Sequence, residues 1–203
     1  MATGTLGRRS PAGTAGVSDR PRRVLVGGSV RSGKSAFALS LARQLGPRRV
    51  LLATAEALDP EMAERIHRHR AERGDEFVTV EEPLEIAPRV RALGGIDVLV
   101  LDCLTLWIAN LLLRGEPEQA IVARVDELAA LLAGAPFHSV VVTNEVGMGV
   151  VPESALGRAF RDVCGRAHRR LAHDATEVYL ATLGLLLRLR PEPISVEPVA
   201  EPG

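Results

Sequence analysis

Residues Gly28-Ser29-Val30-Arg31-Ser32-Gly33-Lys34-Ser35 fit the pattern G-x-x-x-x-G-K-[ST] at every fixed position. No other feature constrains the fold of this chain as much. Before the loop, Arg23-Val24-Leu25-Val26-Gly27 reads as a short buried strand; after it, Ala36-Phe37-Ala38-Leu39-Ser40-Leu41-Ala42 reads as a helix. A strand, a glycine-bearing loop and a helix N-terminus in that order turn backbone N–H groups and the positive end of a helix dipole towards bound phosphates. In a loop of this build Lys34 reaches the β- and γ-phosphates as the catalytic cation, and the Ser35 hydroxyl ligates Mg²⁺.

The rest of the chain must supply a sheet for that loop. Short apolar or β-branched runs occur at Val24–Val26, Val50–Ala53, Val98–Leu101, Ser139–Thr143 and Glu177–Leu183. Helical patterns separate them at Lys34–Leu45, Pro60–Arg73, Leu84–Leu93, Thr105–Leu113, Glu118–Leu132 and Ser154–His173. Strands alternating with helices predict an α/β fold: a mostly parallel sheet with helices on both faces, of the P-loop NTPase, RecA-like kind. Ligands of such sheets bind beyond the carboxyl ends of the strands, so residues just after each strand are the candidates for function.

Composition narrows the partners. The chain has 203 residues, enough for one such domain with a real core, and its formal net charge is zero. Neither the charge nor the single Trp and single Tyr points to a nucleic-acid partner. Cys103 and Cys164, the two cysteines, sit in apolar surroundings and read as small buried residues of a protein in a reducing, cytoplasmic setting. No apolar run is long enough to span a membrane. Residues 1–22 lack the apolar core of a secretory signal and read as a disordered tail; residues 191–203, with repeated prolines, read as a second. The domain is expected over residues 23–190.

Three strand-end or helical segments carry further chemistry. Val98-Leu99-Val100-Leu101-Asp102 is an apolar strand ending in a carboxylate, the acid expected in the Mg²⁺ shell opposite Ser35. Thr143-Asn144-Glu145-Val146-Gly147-Met148-Gly149 has two readings, a glycine-permitted turn or a substrate-contacting loop. From Asp59 an N-cap, Pro60 and acidic Glu61 and Glu64 open a helix. At 100° per residue Met62, Ile66, His69 and Arg73 fall in one stripe roughly 100° wide, with His67 turned about 160° from His69. An inward His69 is either a hydrogen-bonded core residue or, amid Arg65, Arg68, Arg70 and Arg73, a nucleophile that forms a phosphoramidate. His138, His168 and His173 lack such a setting and read as structural or surface residues.

Together these segments resemble the bifunctional adenosylcobinamide kinase/adenosylcobinamide-phosphate guanylyltransferase family. The loop matches G-G-x-R-S-G-K-S apart from Ser29; Asp59, Glu61, Met62, Arg65, Ile66 and His69 match D-x-E-M-x-x-R-I-x-x-H. Residues Val142 through Pro152 match V-T-N-E-V-G-M-G-I-V-P with Val150 in place of Ile, and Phe160-Arg161-Asp162 and Gly165 continue the pattern.

The resemblance implies ATP- or GTP-dependent phosphorylation of adenosylcobinamide, then transfer of GMP from GTP through a histidine, His69, to adenosylcobinamide phosphate. It implies GTP contacts at Gly28–Ser35 (Gly28, Ser29, Val30, Arg31, Ser32, Gly33, Lys34, Ser35), at Ala53, Thr54 and Ala55, at Arg70, Ala71, Glu72 and Arg73, and at Glu81 and Asp102. Mg²⁺ falls to Ser35 and Asp102, and the family association is a homotrimer. Three departures stand out. Ser29 replaces a loop glycine and is costly if that position needs a special backbone angle. Gly74 and Phe77 replace Pro and Trp, which is expected to loosen the approach to Glu81. His168 sits where the family often has Asn. A kinase-only relative and a regulatory GTP-binding protein are the alternatives; the chain has no N-K-x-D guanine-reading motif to favour the latter.

Overall fold

The strand runs are apolar at nearly every position because both faces of the sheet are covered. Val24 and Val26 pack on one face and Leu25 on the other; Leu51 and Leu52, and Val98 and Leu99, divide in the same way. The computed structural model describes residues 20–57, 64 and 74–198. In chain order its elements are β1 (Arg23–Gly28), α1 (Lys34–Leu45), β2 (Arg49–Ala53), a 3-10 turn (Gly74–Glu76), β3 (Val78–Glu81), α2 (Ile86–Arg91), β4 (Val98–Asp102), α3 (Leu104–Leu113), α4 (Glu118–Gly134), β5 (His138–Val142), α5 (Ala155–Asp174), β6 (Glu177–Thr182), β7 (Leu185–Arg190) and β8 (Ser195–Pro198).

The sheet has eight strands in the order β3-β2-β4-β5-β1-β6-β7-β8. Every pair from β3 to β6 is parallel, and β7 and β8 extend that edge as antiparallel strands. Helix α1 covers one face through Ala38, Leu41 and Ala42, against Val26, Val100 and Val142. Helices α2 to α5 cover the other, where Trp107, Ile108, Ile121, Leu128 and Val163 are almost wholly buried. The expected α/β architecture with helices on both faces is therefore present. Strand β5 lies between β1, which carries the loop, and β4, which carries Asp102; one intervening strand is the RecA-like arrangement.

The structure departs from the sequence reading at several boundaries. Strand β3 and the β7–β8 pair were not foreseen, and β8 falls inside the segment 191–203 that reads as a tail. At the other end Arg22 already belongs to the sheet: its carbonyl accepts from Ser139 N at 2.9 Å, and its guanidinium reaches Glu177 Oε2 at 2.7 Å. The helix expected over Leu84–Leu93 is confined to Ile86–Arg91, because the Glu82 carboxylate caps Leu84 N at 3.0 Å and Glu85 N at 2.8 Å. Of the helix expected over Pro60–Arg73 only Glu64 is described, and it is helical.

Candidate functional site

The phosphate loop is shaped by where it leaves β1. Gly28 has φ +151°, and a Cβ there would lie 2.2 Å from the Ala181 carbonyl oxygen of β6, so no side chain fits. Gly33, at the N-cap of α1, takes a left-handed φ of 86°. The non-glycine residue of the loop with positive φ is Arg31, at 56°. Ser29 is not among the positive-φ residues, so replacing the family's glycine there carries no backbone penalty. The first hydrogen bond of α1 runs from Phe37 N to Gly33 O at 2.9 Å, which leaves the N–H groups of its opening turn for an anion.

Lys34 is only 7% exposed. Its ammonium donates to Ser29 O at 2.5 Å and to Ser32 Oγ at 3.4 Å, so it lies inside the loop. Burial pushes its pKa down, and the Asp102 charge opposes that shift. Helix α1, which opens at Lys34, packs against β4, which ends at Asp102.

Sheet register places the other candidates beside them. Ala53 at the end of β2 is level with Glu81 on β3 and with Asp102 on β4, and Asp102 is level with Val142 on β5. The turn after β2 is tied to β4: Thr54 N donates to Asp102 O at 3.1 Å. Thr54 Oγ1 donates to Cys103 O at 2.8 Å and accepts from Cys103 N at 2.9 Å. Asn110 Nδ2, one helix further in, donates to Thr54 O at 2.8 Å and Pro83 O at 3.2 Å. The structure thus brings Gly28–Ser35, Ala53–Ala55, Glu81 and Asp102 to one edge. His69, Arg70, Ala71, Glu72 and Arg73 lie outside the described residues.

Cys103 follows Asp102 through a cis peptide and is buried; burial and the Asp102 charge push its thiol up to about 11. A thiol in that state is no nucleophile at neutral pH, in keeping with a small packing residue. Burial likewise pushes Cys164 up to about 12.

One expectation changes and another is narrowed. Phe77 does not loosen the approach to Glu81: it is 5% exposed, packed in the core, with Arg43 and Arg49 over its ring at 5.8 and 6.0 Å. Arg43 also pairs with Glu76 at 2.6 Å. His168 takes the structural one of its two readings. Its Nε2 lies 2.7 Å from Thr143 Oγ1, and its Nδ1 3.7 Å from Glu145 Oε2. The signal available in the sequence was the seven-residue spacing of Arg161 and His168, which puts both on one face of α5. Thr105 and Asn110 carried no comparable signal, because a polar residue in an apolar helix does not reveal its partner.

Among the described residues no group of three or more His, Cys, Asp and Glu side chains is arranged to hold a metal ion. Ser35 and Asp102 are hard oxygen donors on adjoining elements, the sparse set Mg²⁺ uses when substrate phosphates complete its shell.

Comparison with known proteins gives the family of the chain. Residues 24–189 match the family model described as cobinamide kinase / cobinamide phosphate guanyltransferase. The chain is 41% identical over 180 residues to the bifunctional adenosylcobalamin biosynthesis protein CobU of Salmonella typhimurium, covering 82% of this chain and 99% of that one. It is 39% identical over 173 residues to the bifunctional adenosylcobalamin biosynthesis protein CobP of Pseudomonas aeruginosa, covering 85% and 99%. Among solved structures it resembles an ATPase of a type III secretion system with a TM-score of 0.53 at 14% identity, covering 80% of this chain and 51% of that one. It resembles a Pyrococcus horikoshii protein with a TM-score of 0.50 at 10% identity, covering 83% and 86%. Those two likenesses concern the fold alone. The chain belongs to the cobinamide kinase / cobinamide phosphate guanyltransferase family.

Proposed function

We propose that the chain phosphorylates adenosylcobinamide with ATP or GTP and then transfers GMP from GTP to adenosylcobinamide phosphate through His69. Family membership supports the two activities. The observation that carries the kinase step is the shared edge: Lys34 is held inside the loop that follows β1, and Asp102 ends β4, one strand away across β5.

In the first reaction the aminopropanol hydroxyl oxygen of the acceptor bonds to the γ-phosphorus. The bond to the β–γ bridging oxygen breaks, the nucleoside diphosphate leaves, and the hydroxyl proton passes to a base. The loop N–H groups and Lys34 offset charge on the phosphate oxygens in this loose transition state. Ser35 and Asp102 would hold Mg²⁺, which supplies Lewis-acid neutralisation of phosphate charge. In the second reaction an imidazole nitrogen of His69 bonds to the α-phosphorus of GTP and pyrophosphate leaves. A phosphate oxygen of the acceptor then displaces the histidine, giving adenosyl-GDP-cobinamide. Arg70 and Arg73, next in sequence, are the cations for the α-phosphate under attack, and Ala53–Ala55 and Glu81 belong to the same GTP site.

The decisive experiment uses GTP labelled in the α-phosphate. Wild type acquires an acid-labile, base-stable adduct that His69→Ala abolishes and His67→Ala retains. No label on wild type overturns the transferase step and leaves the kinase-only reading; label on His69→Ala overturns the residue. Lys34→Ala is expected to abolish phosphorylation of cobinamide. A homotrimer in the cytoplasm belongs to the same proposal. The family resemblance supports the assembly, and no described helix is long and apolar enough to cross a membrane. Light scattering that returns a monomer overturns the trimer.

A further inference from the structure

The loop that follows β5 is gripped from three sides. Its backbone joins the phosphate-loop strand: Thr143 N donates to Val26 O and Glu145 N to Gly28 O, each at 2.9 Å. Towards Asp102, the backbone and side-chain amides of Asn144 both donate to Thr105 Oγ1 at 3.2 Å. From α5, Arg161 Nη2 donates to Gly147 O at 2.9 Å, and His168 stands between Thr143 Oγ1 and Glu145 Oε2. The Glu145 carboxylate also accepts from Gly147 N at 2.6 Å, which closes the turn.

Thr143 is 2% exposed, so its hydroxyl depends on a protein partner. The Glu145 carboxylate, 3.7 Å from Nδ1, favours the proton on that nitrogen electrostatically, and in that tautomer Nε2 accepts the Thr143 O–H. Hydroxyl and imidazole are hydrogen-bonded, the carboxylate faces the ring at 3.7 Å as an electrostatic neighbour, and the Glu145 backbone is bonded to Gly28, the residue that opens the phosphate loop.

We propose that His168 is a positioning residue for phosphoryl transfer: by holding Thr143 and Glu145 it fixes to α5 the loop that anchors Gly28. This rests on the kinase activity proposed above. Such a set of contacts transmits position because the Thr143 hydroxyl and the Glu145 backbone and carboxylate each have a discrete hydrogen-bonded arrangement. Its loss displaces the loop without removing any group that touches substrate.

The imidazole also makes the arrangement pH-dependent. Burial lowers the His168 pKa, opposed by the Glu145 charge. On α5, Cys164 is a buried thiol, Arg161 is committed to Gly147 O, and Arg170 pairs with Asp174 and with Asp126 of α4. Arg166 and Arg169 are exposed, and α3 contributes no ionisable side chain. Protonation turns Nε2 into a donor, so the Thr143 hydroxyl must reverse its role and accept, and its own buried hydrogen loses the imidazole as acceptor. Phosphorylation therefore gains an acid limb below the ordinary histidine range.

The test measures phosphorylation of cobinamide by the full chain across pH 5–9. His168→Ala is expected to lower kcat about tenfold, with the nucleotide KM changed less than about threefold. His168→Asn, which keeps a hydrogen-bonding amide without titrating, is expected to restore kcat to within about threefold and to lose the acid limb. Wild-type kcat and pH profile in His168→Ala overturn the inference. If the alanine variant does not fold, the asparagine variant decides: an unchanged acid limb overturns it. Wild type unable to phosphorylate cobinamide overturns the kinase reading instead.

Discussion

Gly27 and Gly28 are neighbours in sequence, yet the structure assigns their substitution by alanine opposite outcomes. A Cβ on Gly27 would meet Thr143 Cγ2 and Tyr179 O at 3.8 Å, an ordinary contact. A Cβ on Gly28 would lie 2.2 Å from Ala181 O and 3.1 Å from Ala181 Cβ. Ala181 is wholly buried and paired in register with Gly28, so β6 cannot yield without disturbing the β1–β6 ladder. Overpacking of this kind costs about 1–3 kcal/mol. A backbone angle that only glycine tolerates adds about 1–3 kcal/mol. The expected loss for Gly28→Ala is thus about 2–6 kcal/mol, against a total stability of about 5–15 kcal/mol for a folded domain. In a chain of this size it corresponds to a melting point lower by roughly 5–20 °C. Gly27→Ala should stay within about 1 kcal/mol of wild type. Urea unfolding followed by circular dichroism reads both, with nucleotide-induced stabilisation as the second readout, since a displaced Gly28 also displaces the phosphate loop. Equal unfolding midpoints for the two variants would refute the reasoning.

Thr54→Val removes a hydroxyl that satisfies both Cys103 N and Cys103 O; it should cost about 1–3 kcal/mol in urea unfolding and slow phosphorylation by shifting the Asp102 turn. Phe77→Ala opens the core under β3 and should cost about 3–5 kcal/mol, while Arg43→Ala, which removes one exposed partner of that ring, should be near neutral. Burial lowers the pKa of His138 and of His168, so between the ordinary value near 6.5 and the folded value the unfolded chain binds more protons. Stability is then complete above the ordinary histidine value and declines as pH falls below it; urea midpoints at pH 8 and 5.5 should differ in that sense, and by less in a His138→Gln/His168→Asn double variant.

The sequence was most informative where a local motif and its tertiary role coincide. The loop, α1 and β4 could be read because a phosphate loop needs its own strand and helix, and an apolar strand ending in Asp102 needs little else. Helix α5 was legible from its apolar stripe and from Ser154, whose side chain accepts from Gly157 N at the N-cap. Strand β3 was not, because only Val80 of its residues is buried, and a half-exposed edge strand leaves a weak pattern. The β7–β8 edge was hidden by its prolines, which suit an edge strand as well as a tail. The partners of His168 were beyond reach for a different reason: Thr143 and Glu145 lie on a separate element, and which buried polar groups satisfy one another is a property of packing.

The departures from the family pattern show how position in the fold decides what a substitution means. Ser29 stands in for a glycine where the backbone needs no glycine, because the left-handed positions of the loop fall at Arg31 and Gly33. Phe77 stands in for tryptophan at a site that needs bulk more than a polar handle, and two guanidinium groups cover its ring. His168 differs in kind, since an amide and an imidazole can each bond the Thr143 hydroxyl, but only the imidazole is titratable, with burial lowering its pKa. Of the three, this is the substitution through which the proposed tie between α5 and the phosphate-loop edge runs, and the pH profile of phosphorylation is where it should be read.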